Sequence, residues 1–375
     1  MSVNNKVLGL IFASMHDANL LDLTKHGTMG SVPIGGRYRL VDFPLSNMVN
    51  SGITDVGVIT KANYISLLEH LGAGREWDLT RKHGGLHLLP PYISGSNGGI
   101  YEGRLDALNN ISAYLEKSSA KYIVCANCDV MSTIDYRPII TKHIDSEADI
   151  TLIYGKGEYD FEKNKDEKYG TTILSVVNDD EFESAMLKPP FKGPSNIWLE
   201  SFIISRDKLE EIVSLACSLG KHSFTKFVLQ EHKEDYKIKC YKVEDEFKRI
   251  GGFKEYWEAN RMLLDSEKRQ SFFRKKMPIF TKVGDSAPVK YGIGTVIKNS
   301  LIADGCIIEG NVENSIIFRG VKVGKDAVVK DCILLEGTTI GEKAYISGIV
   351  TDINGEIKEN RRLDGELDKP LLINN

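Results

Sequence analysis

A repeat of aliphatic residues at about every sixth position is the feature that most constrains the fold of this chain. It begins near Gly292 and continues almost to the end of the 375 residues. The repeated positions are Val296, Ile302, Ile308, Ile317, Val323, Val329, Leu335, Ile340 and Ile346. Glycines near several of them suit tight corners, so the pattern predicts a left-handed parallel β-helix with three hexapeptides in each coil. A sandwich with irregular strands is the alternative.

The first 270 or so residues have a different pattern. Short apolar runs such as Asp55 to Thr60 alternate with segments of helical period such as Asp106 to Leu115 and Lys208 to Leu219. Such alternation predicts an α/β fold, a Rossmann-like domain with a mostly parallel sheet covered on both faces. Ligands of such sheets bind beyond the carboxyl ends of the strands. We expect an α/β domain over residues 1–275, a Pro- and Gly-containing linker over 276–292, and the β-helix with a C-terminal tail over 293–375.

The turn after the first apolar run bears on function. The run Val7 to Ala13 is typical of a buried parallel strand, which in a nucleotide-binding fold leads into a glycine-rich turn. Here the turn is Ser14 to Asn19 and contains no glycine. Its side chains obstruct a pyrophosphate, and Asp17 adds a negative charge beside any phosphate. We therefore expect ATP to bind poorly.

Charge and hydropathy exclude several classes of partner. The net charge is -4 and the pI is about 6.1, so there is no overall basic field for nucleic acid or for an anionic membrane surface. No run of 18 apolar residues occurs, and no signal-peptide pattern precedes the first strand. We expect a cytoplasmic protein with neither nucleic-acid nor membrane partners.

Several motifs carry a family resemblance. The segment from Pro33 to Ile53, the segment from Tyr101 to Ala107, Cys128-Asp129, and Leu187-Lys188-Pro189 stand in the expected order. With the six-residue repeat, they resemble the bacterial ADP-glucose pyrophosphorylases, which are the glucose-1-phosphate adenylyltransferases of glycogen synthesis. The resemblance implies a nucleotidyltransferase domain followed by a β-helix. It also implies a reaction of ATP and glucose 1-phosphate that yields ADP-glucose and pyrophosphate.

The resemblance also shows which catalytic groups are missing. Asn19 stands in place of the loop arginine, Met29 in place of a phosphate-binding lysine, and Arg249 in place of the second metal-binding carboxylate. Asp129 keeps the first carboxylate. Each missing group would raise the barrier by about 3 kcal/mol, so independent catalysis is not expected. We expect no tightly bound cofactor, with Mg²⁺ only if Asp129 still supports it, and an Arg249–Asp129 ion pair instead of a metal site.

Residues at the family's sugar-phosphate and effector positions match the family pattern only in part. By the resemblance, Lys188, Tyr101 and Phe224 match sugar-phosphate-binding positions, whereas Leu187, Trp198 and Ser223 depart from the family pattern. Lys188 could equally be a solvated lysine in a Pro-rich turn. Arg39 matches a position that binds a phosphorylated effector, although a plain surface arginine is an equal interpretation.

Three functions remain in competition. The first is a regulatory, GlgD-type subunit that modulates a catalytic GlgC-type partner in a hetero-oligomer. The second is an active sugar-phosphate nucleotidyltransferase in which Arg249 or Lys248 replaces the lost charge. An acyltransferase is disfavoured, because hexapeptide acyltransferases use a histidine base on the β-helix and every histidine here lies at or before His232.

Overall fold

The computed structural model describes residues 7–91, 101–165 and 167–373, which fall into two compact units. The first contains the described residues up to Ser31, Leu40–Gly251 and Phe272–Phe280. The second contains Val32–Arg39, Gly252–Ser271 and the described residues from Thr281 onward. Two stretches that precede the predicted boundary at residue 275 thus belong to the second unit, and the predicted boundaries themselves stay a prediction.

The first unit is built on a nine-stranded sheet and two short strands that pair beside it. Its strands are β1 (Val7–Phe12), β4 (Asp55–Ile59), β5 (Gly85–Leu89), β6 (Tyr122–Asn127), β7 (Val130–Ser132), β8 (Ile150–Asp160), β9 (Thr172–Val177), β10 (Glu181–Leu187), β11 (Lys192–Ser205), β12 (Ile238–Val243) and β13 (Phe247–Arg249). The hairpin β2 (Pro33–Ile34) and β3 (Tyr38–Arg39) belongs to the second unit.

The order in the large sheet is β5-β4-β1-β6-β11-β8-β12-β10-β9. The pairs from β5 to β6 are parallel, as is β8 with β12, whereas β11 pairs antiparallel with both β6 and β8. Apolar residues on β1, β6, β8 and β11 form one continuous core with two helices, α3 (Arg104–Asn110) and α7 (Arg206–Ser218). The parallel strands therefore place their carboxyl ends along one edge, where the sequence predicts the site.

Nine α-helices occur in the described residues. They are α1 (Asp42–Asn50), α2 (Ile65–Leu71), α3 (Arg104–Asn110), α4 (Ser112–Lys117), α5 (Tyr136–Asp145), α6 (Phe161–Asn164), α7 (Arg206–Ser218), α8 (Phe253–Met262) and α9 (Ser266–Phe272). Short 3₁₀ turns lie at Asp17–Asn19, Leu21–Thr24, Met29–Ser31, Arg75–Trp77 and Lys233–Asp235, and a π-helix spans Thr225–Glu231. Within the described part of the chain, no helix is long and apolar enough to cross a membrane.

The second unit carries the stacked strands that the six-residue repeat predicts. They are β14 (Lys290–Tyr291), β15 (Ile297–Lys298), β16 (Leu301–Ile302), β17 (Ile307–Ile308), β18 (Asn311–Glu313), β19 (Ile316–Ile317), β20 (Lys322–Val323), β21 (Val328–Lys330), β22 (Ile333–Leu334), β23 (Thr339–Ile340), β24 (Tyr345–Ser347), β25 (Ile349–Thr351), β26 (Glu356–Ile357), β27 (Arg362–Asp364) and β28 (Leu371–Ile373). They form three five-stranded parallel sheets around an aliphatic core, consistent with a left-handed β-helix.

Coil length differs from three full hexapeptides. Paired residues on most neighbouring strands are 17 positions apart in sequence, as in the Cys332–Ser315 contact. The spacing is 15 for the pairs β15–β18, β16–β19 and β17–β20, as in the Asn299–Asn314 contact. Corner residues stack in columns with left-handed backbone, one of which contains Gly305, Gly320 and Gly337. The slips in the sequence repeat are therefore corners that are one or more residues short.

Candidate active site

Strand register brings the turn of residues 14–19 to Asp129. Strand β1 pairs in parallel with β6, and Phe12 lies opposite Asn127. The segments that follow β1 and β6 leave the sheet side by side, so the turn and Asp129 lie at the same edge. Strand β13 pairs antiparallel with β7, and the Ile250 amide donates to the Asp129 carbonyl over 2.7 Å. Arg249 is thereby placed next to Asp129.

Asp129 is fully buried, and its carboxylate lies against His16 and Arg249. Oδ2 lies 2.7 Å from His16 Nδ1 and 3.7 Å from Arg249 Nε. Burial raises the pKa of Asp129, but His16 and Arg249 outweigh burial and lower it to about 2. Among the described residues, Oδ1 has no hydrogen-bond partner. The one carboxylate that the family pattern retains is therefore ionised and bound inside the protein.

Arg249 is buried and is the centre of this arrangement. Its NH1 group donates to Glu167 Oε2 over 2.8 Å and to Thr171 Oγ1 over 2.6 Å, and its NH2 group donates to the Tyr169 carbonyl over 3.0 Å. Burial lowers the pKa of Arg249, but Glu167 and then Asp129 outweigh burial and raise it. We call His16, Asp129, Glu167 and Arg249 the buried charge cluster.

The buried charge cluster does not fit Mg²⁺. A divalent cation held by Asp129 needs further oxygen ligands beside it, and a guanidinium stands there. Within the residues that the structure describes, no group of three or more His, Cys, Asp or Glu side chains could hold a metal ion. The Arg249–Asp129 contact is the one expected from the sequence, although the closer carboxylate to Arg249 is Glu167.

Two polar side chains of the turn of residues 14–19 are hydrogen-bonded to other parts of the chain. Ser14 Oγ lies 3.0 Å from Thr60 Oγ1, and Asp17 Oδ1 accepts a 2.6 Å hydrogen bond from the backbone amide of Met29. Burial raises the pKa of Asp17 to about 6. The Met29 side chain is 1% exposed, so the position of the lost lysine is filled by an apolar group. The Met29 amide, one donor that a phosphate could use, is already bonded within the chain.

Asn19 joins this turn to a second loop. Its side chain accepts from the Tyr169 amide and donates to the Tyr169 carbonyl, both over 3.1 Å. The His16 ring stacks on the Tyr169 ring with centroids 5.1 Å apart. We call residues 167–171 the bridging segment, because they contact both the turn and Arg249.

An open cavity of about 370 Å³ lies beside the bridging segment, and we call it the cleft. It is lined by five cationic side chains and two carboxylates, so it is locally basic although the chain is acidic overall. These residues are Lys61, Arg104, Lys168, Lys188, Lys226, Glu102 and Glu200. Burial lowers the pKa of Lys61, Asp17 partly opposes this, and Lys168 lowers it further.

The predicted sugar-phosphate residues divide between the cleft and the core. Phe224 lines the cleft and stacks on Phe202 at 4.5 Å. Lys188 also lines it, but its ammonium donates to the backbone carbonyls of Glu167 and Lys165. Tyr101 does not line the cleft, since it is 5% exposed and its hydroxyl donates to Asn110 Oδ1 over 3.3 Å. The structure therefore does not bring the three together, and sugar-phosphate binding stays a prediction.

A buried ion pair forms the floor of the cleft. Arg104 NH2 donates to Glu200 Oε2 over 2.7 Å, and its guanidinium lies 5.0 Å from the centroid of the Trp198 ring. Glu200 has a left-handed backbone with φ of 52°, a conformation that favours glycine. Strain of this kind costs on the order of 1 kcal/mol and persists where the surroundings impose it. Trp198 is fully buried, so it adds bulk below the cleft.

Arg39, the predicted effector residue, belongs to the second unit. Its NH2 group lies 3.3 Å from Glu336 Oε2, on the β-helix of the same unit. The guanidinium thus has an internal carboxylate where an effector anion was expected. Effector binding at Arg39 stays a prediction.

Sequence reasoning missed His16, Glu167, Tyr169 and the Arg104–Glu200 pair as site residues. His16 stands in the turn after the first strand, next to Asp17, and this position is the signal that could have marked it. Glu167 and Tyr169 lie in a charged loop without any motif, so no local signal marks them. Arg104 and Glu200 are 96 residues apart, and only the fold brings them together.

The chain matches the models of two known protein families. The nucleotidyl transferase family model matches residues 9–266, and the GlmU-like C-terminal hexapeptide model matches residues 289–369. The two matches confirm the predicted order of a nucleotidyltransferase domain and a hexapeptide β-helix.

Whole-chain relatives were also found. The glucose-1-phosphate adenylyltransferase of Clostridium perfringens (strain SM101 / Type A) is 32% identical over 89% of this chain and 86% of its own length. The glycogen biosynthesis protein GlgD of Bacillus subtilis (strain 168) is 30% identical over 99% of this chain and 96% of its own. The adenylyltransferase of Geobacillus stearothermophilus is 30% identical over 88% and 84%.

Proposed function

Since this chain belongs to the glucose-1-phosphate adenylyltransferase family, we propose that it is a regulatory, catalytically impaired member. In this proposal it pairs with a catalytic GlgC-type subunit in a cytoplasmic hetero-oligomer of glycogen biosynthesis. There it modulates the reaction of ATP with glucose 1-phosphate. Similarity to GlgD over 99% of the chain is consistent with this role, but both kinds of relative are about equally similar.

The observation that carries the proposal is the state of Asp129. Its carboxylate is bound by His16 at 2.7 Å and faces Arg249 at 3.7 Å. A carboxylate bonded to a histidine and faced by a guanidinium is a poor ligand for Mg²⁺, and charge on a departing pyrophosphate would then have no metal to balance it. The filled turn of residues 14–19 supports the same conclusion for the triphosphate. No tightly bound metal or cofactor is part of the proposal.

Pyrophosphate release tests the proposal directly. It is measured from ATP and glucose 1-phosphate with this chain alone, with a catalytic adenylyltransferase subunit alone, and with the two copurified. We expect no turnover by this chain and a changed substrate affinity or effector response in the copurified pair. Failure to copurify, together with unchanged kinetics of the catalytic subunit in the mixture, would contradict the regulatory role.

One observation favours the second candidate, an active nucleotidyltransferase with a rewired site. The cleft is open and basic, so an anionic substrate could enter it and meet cations such as Lys61 and Lys226. Turnover by this chain alone that Asp129→Ala abolishes would establish this candidate. Asp207→Ala is the matched control, because Asp207 is 91% exposed on α7.

A further inference from the structure

Another open cavity lies within the second unit, where α8 and α9 meet the first coils of the β-helix, and we call it the corner cavity. Its volume is about 880 Å³, in the upper part of the range of about 300–1,000 Å³ that small-molecule sites have. Arg261 and Arg269 line it from the helices, and Asn299, Ser300 and Asn314 line it from the β-helix. None of its lining residues lines the cleft, so it is a separate candidate site.

The two arginines are held in place by contacts that use one nitrogen of each guanidinium. Arg261 NH1 donates to Asp331 Oδ1 over 2.9 Å, and the guanidinium lies 5.4 Å from the centroid of the Trp257 ring. Arg269 NH1 donates to the Leu263 carbonyl over 2.7 Å. Within the part of the chain that the structure describes, Nε and NH2 of both arginines make no hydrogen bond. Both side chains therefore keep donors for a ligand in a fixed orientation.

The two asparagines add amide groups to the same wall. Asn299 and Asn314 occupy successive positions of one corner column, with left-handed φ of 41° and 48°. Asn299 Nδ2 donates to Asn314 Oδ1 over 2.9 Å. Among the described residues, the Asn299 amide oxygen and the Asn314 amide nitrogen have no partner. The pair thus offers both an acceptor and a donor.

Fixed charges around the corner cavity are balanced. Asp331 is paired with Arg261, and Asp265 stands on the same wall as Arg269. The cleft differs, since five cations there face two carboxylates. Two carboxylates beside the arginines disfavour an anionic ligand. Mixed donors and acceptors instead suit hydroxyl groups, which both donate and accept hydrogen bonds.

We propose that the corner cavity binds a neutral carbohydrate chain, whose hydroxyl groups bond to the two arginines and the two asparagines. Leu264, Ile297 and Leu301 also line the cavity and supply aliphatic surface for the C–H face of a sugar ring. Carbohydrate binding is a function beyond regulation of an adenylyltransferase. It requires no catalytic partner, so its failure is distinct from failure of the regulatory role.

Isothermal titration of the full chain with maltoheptaose, a linear chain of glucose units, tests the proposal. Asn314→Gly removes the amide and keeps a residue that favours the left-handed backbone, and we expect at least tenfold weaker binding. Asn360→Gly is the matched control, because Asn360 is an exposed corner residue with φ of 59° that does not line the cavity. Its affinity should equal that of the unmodified protein.

Three results would overturn the carbohydrate site. One is no binding of maltoheptaose at millimolar concentration, and another is equal affinity in Asn314→Gly and Asn360→Gly. The third is tighter binding of inorganic phosphate than of maltoheptaose that Asn314→Gly abolishes, since the ligand would then be an anion. If Asn314→Gly fails to fold, hydrogen exchange of the unmodified protein decides. Saturating maltoheptaose must slow exchange of the amides of residues 299–301 and 314, and unchanged exchange rejects the proposal.

Discussion

The buried charge cluster and the cleft lie side by side at one edge of the same sheet, yet their charges are satisfied to different degrees. In the cluster, Arg249 donates to Glu167 and faces Asp129. In the cleft, Lys168 and Lys226 have no carboxylate within ion-pairing distance among the described residues. The cluster is therefore closed by contacts within the chain, whereas the cleft presents cations to an anionic ligand.

Removal of Arg249 should give the largest effect. Arg249→Ala leaves Asp129 and Glu167 as buried carboxylates without their shared cation, so we expect the free energy of unfolding to fall by about 3–5 kcal/mol. Chemical denaturation measures this. Arg137→Ala is the control, because Arg137 is 56% exposed in its pair with Asp135 and should cost at most about 1 kcal/mol. Equal losses in the two variants would remove the contrast between cluster and surface.

Arg104 and Glu200, the ion pair at the floor of the cleft, should be strongly coupled in their effects on stability. Arg104→Leu orphans the buried Glu200, and we expect a loss of about 3 kcal/mol in the free energy of unfolding. Glu200→Gly orphans Arg104 but releases the left-handed strain. We therefore expect the double variant to be more stable than Arg104→Leu, with a coupling energy of about 2 kcal/mol from a double-mutant cycle by denaturation. Additive losses would show that the pair acts only as two separate packing groups.

Asp17 and Asp129 should change the free energy of unfolding in opposite directions as the pH falls. The folded pKa of Asp17 is raised by burial from 3.8 to about 6, so its ionisation destabilises the fold at neutral pH. We expect stability to rise by about 2–3 kcal/mol as the pH falls from 7 to 4, from this group alone. The folded pKa of Asp129 is about 2, so its contribution is lost as the pH falls from about 4 through 2.

The variant Asp17→Asn tests the contribution of Asp17 to stability between pH 4 and 7. Asparagine can still accept the hydrogen bond from the Met29 amide, but it cannot ionise. Denaturation between pH 4 and 7 should show a flatter profile for Asp17→Asn than for the unmodified protein. A profile with the same slope would mean that Asp17 does not titrate in this range.

The smallest effect is expected in the cleft. Lys226→Met removes a cation with no carboxylate partner among the described residues, so the free energy of unfolding should change by no more than about 0.5 kcal/mol. Thermal unfolding in low salt is a sufficient measurement. A loss above about 1 kcal/mol would show that Lys226 is a structural group, and the cleft would then resemble the cluster.

Periodic parts of the fold could be predicted from sequence, because they depend on repeated local choices. Strand β4 and helix α7 occur where the apolar pattern placed them. The segment expected as one helix from Asp106 to Leu115 is divided into α3 and α4, with a break at Ile111 that the helical period does not reveal. The β-helix was recognised, but its coil of 17 residues was not, since corners carry no apolar signal.

The site was harder to predict, because its contacts are long-range. The Arg249–Asp129 proximity followed from aligned positions, and the structure brings the two residues together. Glu167 reaches Arg249 across 82 residues of sequence, and no motif surrounds it. Tyr101 shows the opposite case, since a matching motif position has a buried side chain, and its sugar-site role stays a prediction. Position in a motif therefore constrains the backbone more firmly than it constrains what the side chain meets.

The stacked corners of the β-helix have a consequence for how this chain can change length. Gly305, Gly320 and Gly337 share one column, although the first two are 15 residues apart and the last two are 17. A corner can therefore gain or lose a residue or two without moving the later corners out of their columns, and removal of one complete turn would also leave the remaining columns in step. The unit is thus modular, and its natural variants should differ by whole turns or by excursions confined to one corner.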